Sequence, residues 1–196
     1  MKFSGRDVIS YVAIFVIVVS LASIGMKFTG YDTVDDTARI NVTVVTSAAI
    51  NFTADFIEFG VGSVTEGQAG ATMDTEGSAV PTGSWTSPAT GLVLENIGNV
   101  NVSLGLQASD LAQDYLGGTG PLFQYMVSNS SGDTGSCNGN TAPSYTNFTT
   151  GNVEVCAELG TDAGQDEVDI DIKLYIPSDS FTGNLTATIT ATGTYS

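Results

Sequence analysis

The chain has 196 residues, no histidine, and 21 Asp and Glu against five Lys and Arg, which makes it one domain's length of strongly acidic polypeptide with a net charge of −16. A surface of that sign repels phosphate, so nucleic acid is excluded as a partner. Without histidine there is no ordinary general base at neutral pH and no Ser-His or Cys-His nucleophile pair, so no enzyme activity is expected.

The first predicted element is VISYVAIFVIVVSLASIGM, Val8 to Met26, which carries no charge and would run roughly 28 Å as a helix, enough to cross a bilayer. Lys2 and Arg6 ahead of it would stay cytoplasmic, although Lys27 follows on the far side. The remainder is therefore expected outside the cell, exported through the membrane. Residues 1–29 read as an N-terminal hydrophobic helix with three possible fates. It is a secretory signal cut near Ala22, a retained signal anchor, or a pilin-type helix released by processing near Gly5 and bundled with copies of itself. The length of the apolar run favours a retained helix.

Residues 30–37, GYDTVDDT, form a polar linker, and the domain spans 38–196. Ile40, Val42 and Val44 alternate with Asn41 and Thr43, the period of a strand with one buried face. Ile50, Phe52, Ala54 and Phe56 continue it, and the change of phase at Ile57 and Phe59 predicts a bulge near Phe56. Residues 60–91, rich in Gly, Ser, Thr and Ala and containing Pro81 and Pro88, predict long loops. Within them Trp85 is expected to plug a loop onto the core.

Leu92 to Leu94 predicts a short strand, followed by a turn in which Gly98 is free to take positive φ. Val100, Val102, Leu104 and Leu106 give four inward positions of the next strand. Asp110 and Gln113 have capping-box spacing for a single helical turn within Ser109 to Leu116. Leu122 to Ser128 and Val153 to Leu159 are further strands. Val168, Ile170, Ile172, Leu174 and Ile176 alternate with Asp169, Asp171, Lys173 and Tyr175 until Pro177 stops the run. Asp169 and Asp171 thus share an outer face, and nothing in the sequence builds a cleft for paired-carboxylate chemistry around them. Leu185, Ala187, Ile189 and Ala191, between threonines, close the chain. About seven or eight short strands with no second helical pattern predict an all-β sandwich, immunoglobulin-like or jelly-roll-like, behind one N-terminal hydrophobic α-helix.

Asn-X-Ser/Thr triplets occur at Asn41, Asn51, Asn101, Asn129, Asn147 and Asn184. Asn41, Asn51 and Asn101 lie between inward apolar neighbours, which turns them to solvent and makes the set candidate glycosylation sites. Cys137 and Cys156, an even pair in an exported domain, predict a disulfide that staples the loop 129–151 onto the strand holding Cys156. Two cysteines without histidine cannot close a zinc site. Asp162, Asp166 and Glu167, in a Gly-containing loop, are a weak calcium candidate because that ion takes hard oxygen ligands; otherwise no cofactor is expected.

The stretches SGRDVISYVAIFVIVVSLASIG, INVTVVTSAAINF with its following IEFG, LENIGNVNVSL and IPSDSFTGNLTATITATGT, with the cysteine pair, together resemble a group of small archaeal surface proteins. The N-terminal portion also resembles archaeal pilins and archaellins, which implies an apolar helix in a filament core and a β domain facing outward. A second assembly mode is strand addition, in which an edge strand of one subunit completes the sheet of the next and the INVTVV segment serves as that strand. The expected function is accordingly structural: a subunit of a cell-surface filament whose partners are copies of itself. The alternative is a monomeric, membrane-anchored adhesin using the loops around Trp85 or Tyr145.

Overall fold

The computed structural model describes residues 39–77, 82–85 and 90–195. The expected helix at Val8 to Met26, the linker 30–37 and the processing positions Gly5 and Ala22 lie outside the described residues. The chain divides into two units, Met1–Thr43 and Val44–Ser196, and the second holds all the described secondary structure.

Ten strands and one short helix follow in order among the described residues. They are β1 (Ile50–Ala54), β2 (Gly70–Asp74), β3 (Leu92–Asn96), β4 (Val102–Ala108), α1 (Ala112–Leu116), β5 (Leu122–Asn129), β6 (Cys137–Asn140), β7 (Thr146–Asn147), β8 (Val153–Leu159), β9 (Glu167–Pro177) and β10 (Ile189–Thr194). They form two antiparallel sheets, a six-stranded one in the order β1-β3-β9-β5-β7 with β2 also on β9, and a four-stranded one in the order β10-β4-β8-β6. Alternation explains the core: Leu92 and Leu94, Phe123, Tyr125 and Val127, and Val168 to Ile176 on the first sheet are buried with Val102, Leu104, Leu106, Val155 and Leu159 on the second. This arrangement is consistent with the sandwich read from the sequence.

β9 is the spine. One side pairs with β5 from Val168 to Tyr175, and the other is shared end to end by β3 and β2. Between those two, buried Thr75 bridges the gap: its hydroxyl donates to Asp171 Oδ1 at 2.7 Å and accepts from the Ile172 N–H at 3.0 Å. Asp171 is therefore half-buried, not a freely solvated outer position.

Several expectations need correction. No strand forms at Ile40 to Val44; residues 39–49 join no sheet, and Ile40, Val42, Val44 and Val45 are 75–88% exposed. The chain just after this stretch is clamped by Asn99, whose Oδ1 accepts from the Ser47 N–H at 2.7 Å and whose Nδ2 donates to the Val45 carbonyl at 2.9 Å. The register break of β1 falls between Phe52 and Ala54, ahead of Phe56, and pairing ends there. The region 60–91, expected as loops, contains β2, whose Ala71 and Met73 are fully buried; these two inward residues were too few to show a period. β6 and β7 likewise lack apolar alternation and were not anticipated.

Two local details change as well. Gly98 is not at positive φ; a side chain there would collide with the Ser47 carbonyl, so close approach is what requires glycine. α1 starts from Leu111 without a side-chain cap, because Asp110 instead accepts a hydrogen bond from Ser109 at 2.6 Å. Trp85 packs against the core as expected, and a Cβ on Gly62 would strike its ring.

Candidate interaction site

The two sides along which the sheets meet differ. On the first, Asn140 Nδ2 donates to the Val127 carbonyl at 2.8 Å, and Val127 N–H donates to Ala142 at 2.8 Å, so the chain leaving β6 is laced onto β5. Phe148 then inserts beside Phe123 and Tyr125, with ring centroids 4.4 and 4.5 Å apart. The Cys137–Cys156 disulfide joins β6 to β8, with Cα atoms 5.5 Å apart, which is the stapling expected of the pair.

On the second side, among the described residues, β1 pairs only with β3, and β10 only with β4. The two meet where Gly193 passes Ile50, so closely that a Cβ on the glycine would lie 2.9 Å from Ile50 Cγ2. Toward the other end both chains outrun their partners. Residues 55–59 continue beyond β1 and residues 185–188 precede β10, and between them opens a groove of about 290 Å³. Its lips carry Phe52, Ile57 and Phe59 opposite Leu185, Ala187 and Ile189, its floor is Phe123, Ile172 and Leu174, and Asp55 is the charged residue on its wall. The lip residues are only half-buried.

The far edge of β10 has no strand partner among the described residues. Thr188 turns its N–H and carbonyl toward Ser109, donating to Ser109 Oγ at 2.9 Å and accepting from Ser109 N–H at 2.8 Å. Strand alternation then turns the peptide groups of Ala187, Ile189, Ala191 and Gly193 outward. In the sequence this edge is the charge-free run Asn184 to Tyr195, the closing strand read from Leu185, Ala187, Ile189 and Ala191 between threonines.

All six sequon asparagines, Asn41, Asn51, Asn101, Asn129, Asn147 and Asn184, are exposed. Asn101 is engaged: its Nδ2 donates to Glu158 Oε1 at 2.8 Å while Asn138 donates to Oε2 at 3.2 Å. These hydrogen bonds hold the Glu158 carboxyl below its ordinary pKa. They also border a polar depression of about 320 Å³ with Gly139 and Ala157, a poor place for a general acid because its one carboxyl is biased toward the ionised form.

The acidic loop does not assemble a cation site. No group of three or more His, Cys, Asp or Glu among the described residues, the calcium candidate Asp162, Asp166 and Glu167 included, is placed to hold a metal. The loop is organised instead by Asp133, whose Oδ2 accepts from the N–H groups of Asp166 and Glu167 at 3.1 and 2.9 Å. Desolvation, then the charge of Asp133, raises the Glu167 pKa.

Tyr145 donates to Glu76 at 2.9 Å and lies under Lys173, whose ammonium is 4.9 Å from the ring centroid. Burial and the Glu76 hydrogen bond push its phenol pKa up. Comparison with known proteins finds no family model and no curated protein that matches this chain.

Proposed function

We propose that this chain is a structural subunit of an extracellular, cell-surface assembly, a pilus-like filament made of copies of itself. The proposed unit is a β-sandwich, acidic and glycosylated at some of its six sequons, carried behind an apolar N-terminal helix. The observation that carries the reading is the contrast on the β body: one charge-free edge, beside an apolar groove whose one lining charge is Asp55, on a unit otherwise dense in carboxylates. Carboxylates keep such a unit soluble and repel random association, so the uncharged edge is where self-association costs least. The disulfide fits an oxidising compartment.

An adhesin built on Trp85 or Tyr145 is the weaker reading, because Trp85 packs on the core and Tyr145 is committed to Glu76 and Lys173. Electron microscopy and sedimentation of the full-length chain test the proposal. Ordered polymers are the expected result; a population that stays monomeric at every concentration after removal of detergent refutes it. Mass spectrometry of the mature N-terminus adds the fate of the helix: a start near Arg6 places it in the filament, and a start near Ser23 removes helix packing as the joint.

A further inference from the structure

We infer that Ile40 to Val45 of one copy adds as a strand to the free edge of β10 in a second copy and covers the groove between that copy's β1 and β10. The inference rests on the subunit reading and names its joint. The donor is a segment that alternates like a strand yet joins no sheet among the described residues: Ile40, Val42 and Val44 are exposed, with Asn41 and Thr43 between them. A row of apolar side chains held in water at period two is half of a strand pair.

The acceptor is singled out by comparing the sheet edges. Natural sheets protect edges with charge, proline, bulges or shortness. β7 has two residues, β6 has four and begins at the disulfide, β1 has a broken register, and β2, paired with β9 alone, ends on a charge at Asp74. β10 keeps one register over six residues and bears no charge and no proline. Its outward peptide groups supply the ladder, and its half-buried inner face leads into the apolar groove. A strand added there with Ile40, Val42 and Val44 turned inward would extend that face, and with Asn41 and Thr43 outward it would continue the row of threonines.

Charge and position agree with this pairing. Arg39, one of only two cations after position 30, directly precedes the donor, while Asp55 lines the groove. The donor joins the body at Val45, clamped by Asn99 beside the turn from β3 to β4, at the end of the seam where Ile50 meets Gly193. The groove opens at the other end. Donor and acceptor are therefore different patches, and a joint between different patches repeats head to tail, which yields a filament wherever the rotation between neighbours does not close a ring.

Cross-linking tests the joint in the full-length chain. A Thr43→Cys preparation is mixed separately with Thr186→Cys, Thr188→Cys, Thr190→Cys and Thr192→Cys preparations and oxidised. An intermolecular disulfide from position 43 to one or two neighbouring positions of that series is expected. Polymers that form without such a link, or links confined to pairs of β10 strands, overturn the joint and leave the subunit reading standing; an unmodified chain that never polymerises overturns both. Two further variants guard against misfolding as an explanation. Val42→Lys alters an exposed residue, and Ala191→Pro removes an N–H that points away from β4, so both should keep the native circular dichroism and melting curve. Each is expected to lower the assembled fraction at least about tenfold; unchanged assembly by either, with the fold intact, refutes the inference.

Discussion

The body is built with one seam closed and one ajar, and the residues that make the difference are few. The side containing β5, β6 and β7 is crossed by side-chain and backbone hydrogen bonds and has Phe148 buried among aromatic rings, while the disulfide ties β6 to β8 inside the four-stranded sheet. The side containing β1 and β10 has half-buried Phe52 and Phe59, alanines, a glycine and aliphatics, and among the described residues no covalent or hydrogen-bonded tie across its groove end. A fold that needed only stability would treat both sides alike. Apolar surface left half-covered next to an unpaired edge is characteristic of a surface that meets something else.

The comparison is broken most directly by Phe148→Ala. If the closed seam carries the packing, this change costs about 4 kcal/mol, read from urea unfolding. A loss under about 1 kcal/mol would mean the side closes without it. Next, replacing Cys137 and Cys156 together by serine is expected to cost about 3 kcal/mol, the loop-closure value for a separation of 19 residues, measured as a shift in Tm under non-reducing conditions.

Asn96 sharpens the picture at the end where the two lips touch. Its buried Nδ2 serves the carbonyls of Val100 and Gly160 at 3.0 and 2.9 Å, linking the two sheets. Asn96→Ala should cost about 2 kcal/mol because those acceptors lose their donor. On the open side, Leu185→Ala should cost less than about 1 kcal/mol in the dispersed chain, since half-buried residues lose little, and a value as large as that of Phe148 would show that the groove belongs to the core.

The smallest effect is a pH dependence. Asp171 and Glu167, desolvated, have pKa values raised above the ordinary 3.8 and 4.5. Between the ordinary and raised values the folded chain binds more protons than the unfolded one, so stability falls as pH rises through that window. Glu158 and Asp179, held down by hydrogen bonds from Asn101 and Thr119, act oppositely: their contribution is complete above the ordinary range and is lost as pH falls through their lowered values. A melting temperature that falls as pH rises above the ordinary carboxylate range is expected; a monotonic rise to neutrality would contradict it.

Much of this architecture was legible in residue order. Val168 to Ile176 announced the central strand because five inward aliphatics alternate with polar residues, and Val153 to Leu159 was bounded correctly. The reading failed where alternation was present without a partner or absent from a real strand. Ile40 to Val44 has the pattern of a strand but joins no sheet among the described residues; β2 has a partner but only two inward apolar side chains. The groove itself could not be read, because its lips come from residues 55–59 and 185–189, brought together only when β3 and β4 take their places in different sheets.

The scarcity of cations has one last outcome. Beyond position 30 the chain holds only Arg39 and Lys173, and Lys173 lies mid-strand in β9, flanked by β2 and β5 with Tyr145 across its ammonium. Trypsin-like proteases need an extended, unpaired stretch around the bond they hydrolyse. On the folded chain that leaves the peptide after Arg39 as the place to cut in the described residues, and the cut would free the β body with Ile40 as its new first residue and its donor segment still attached.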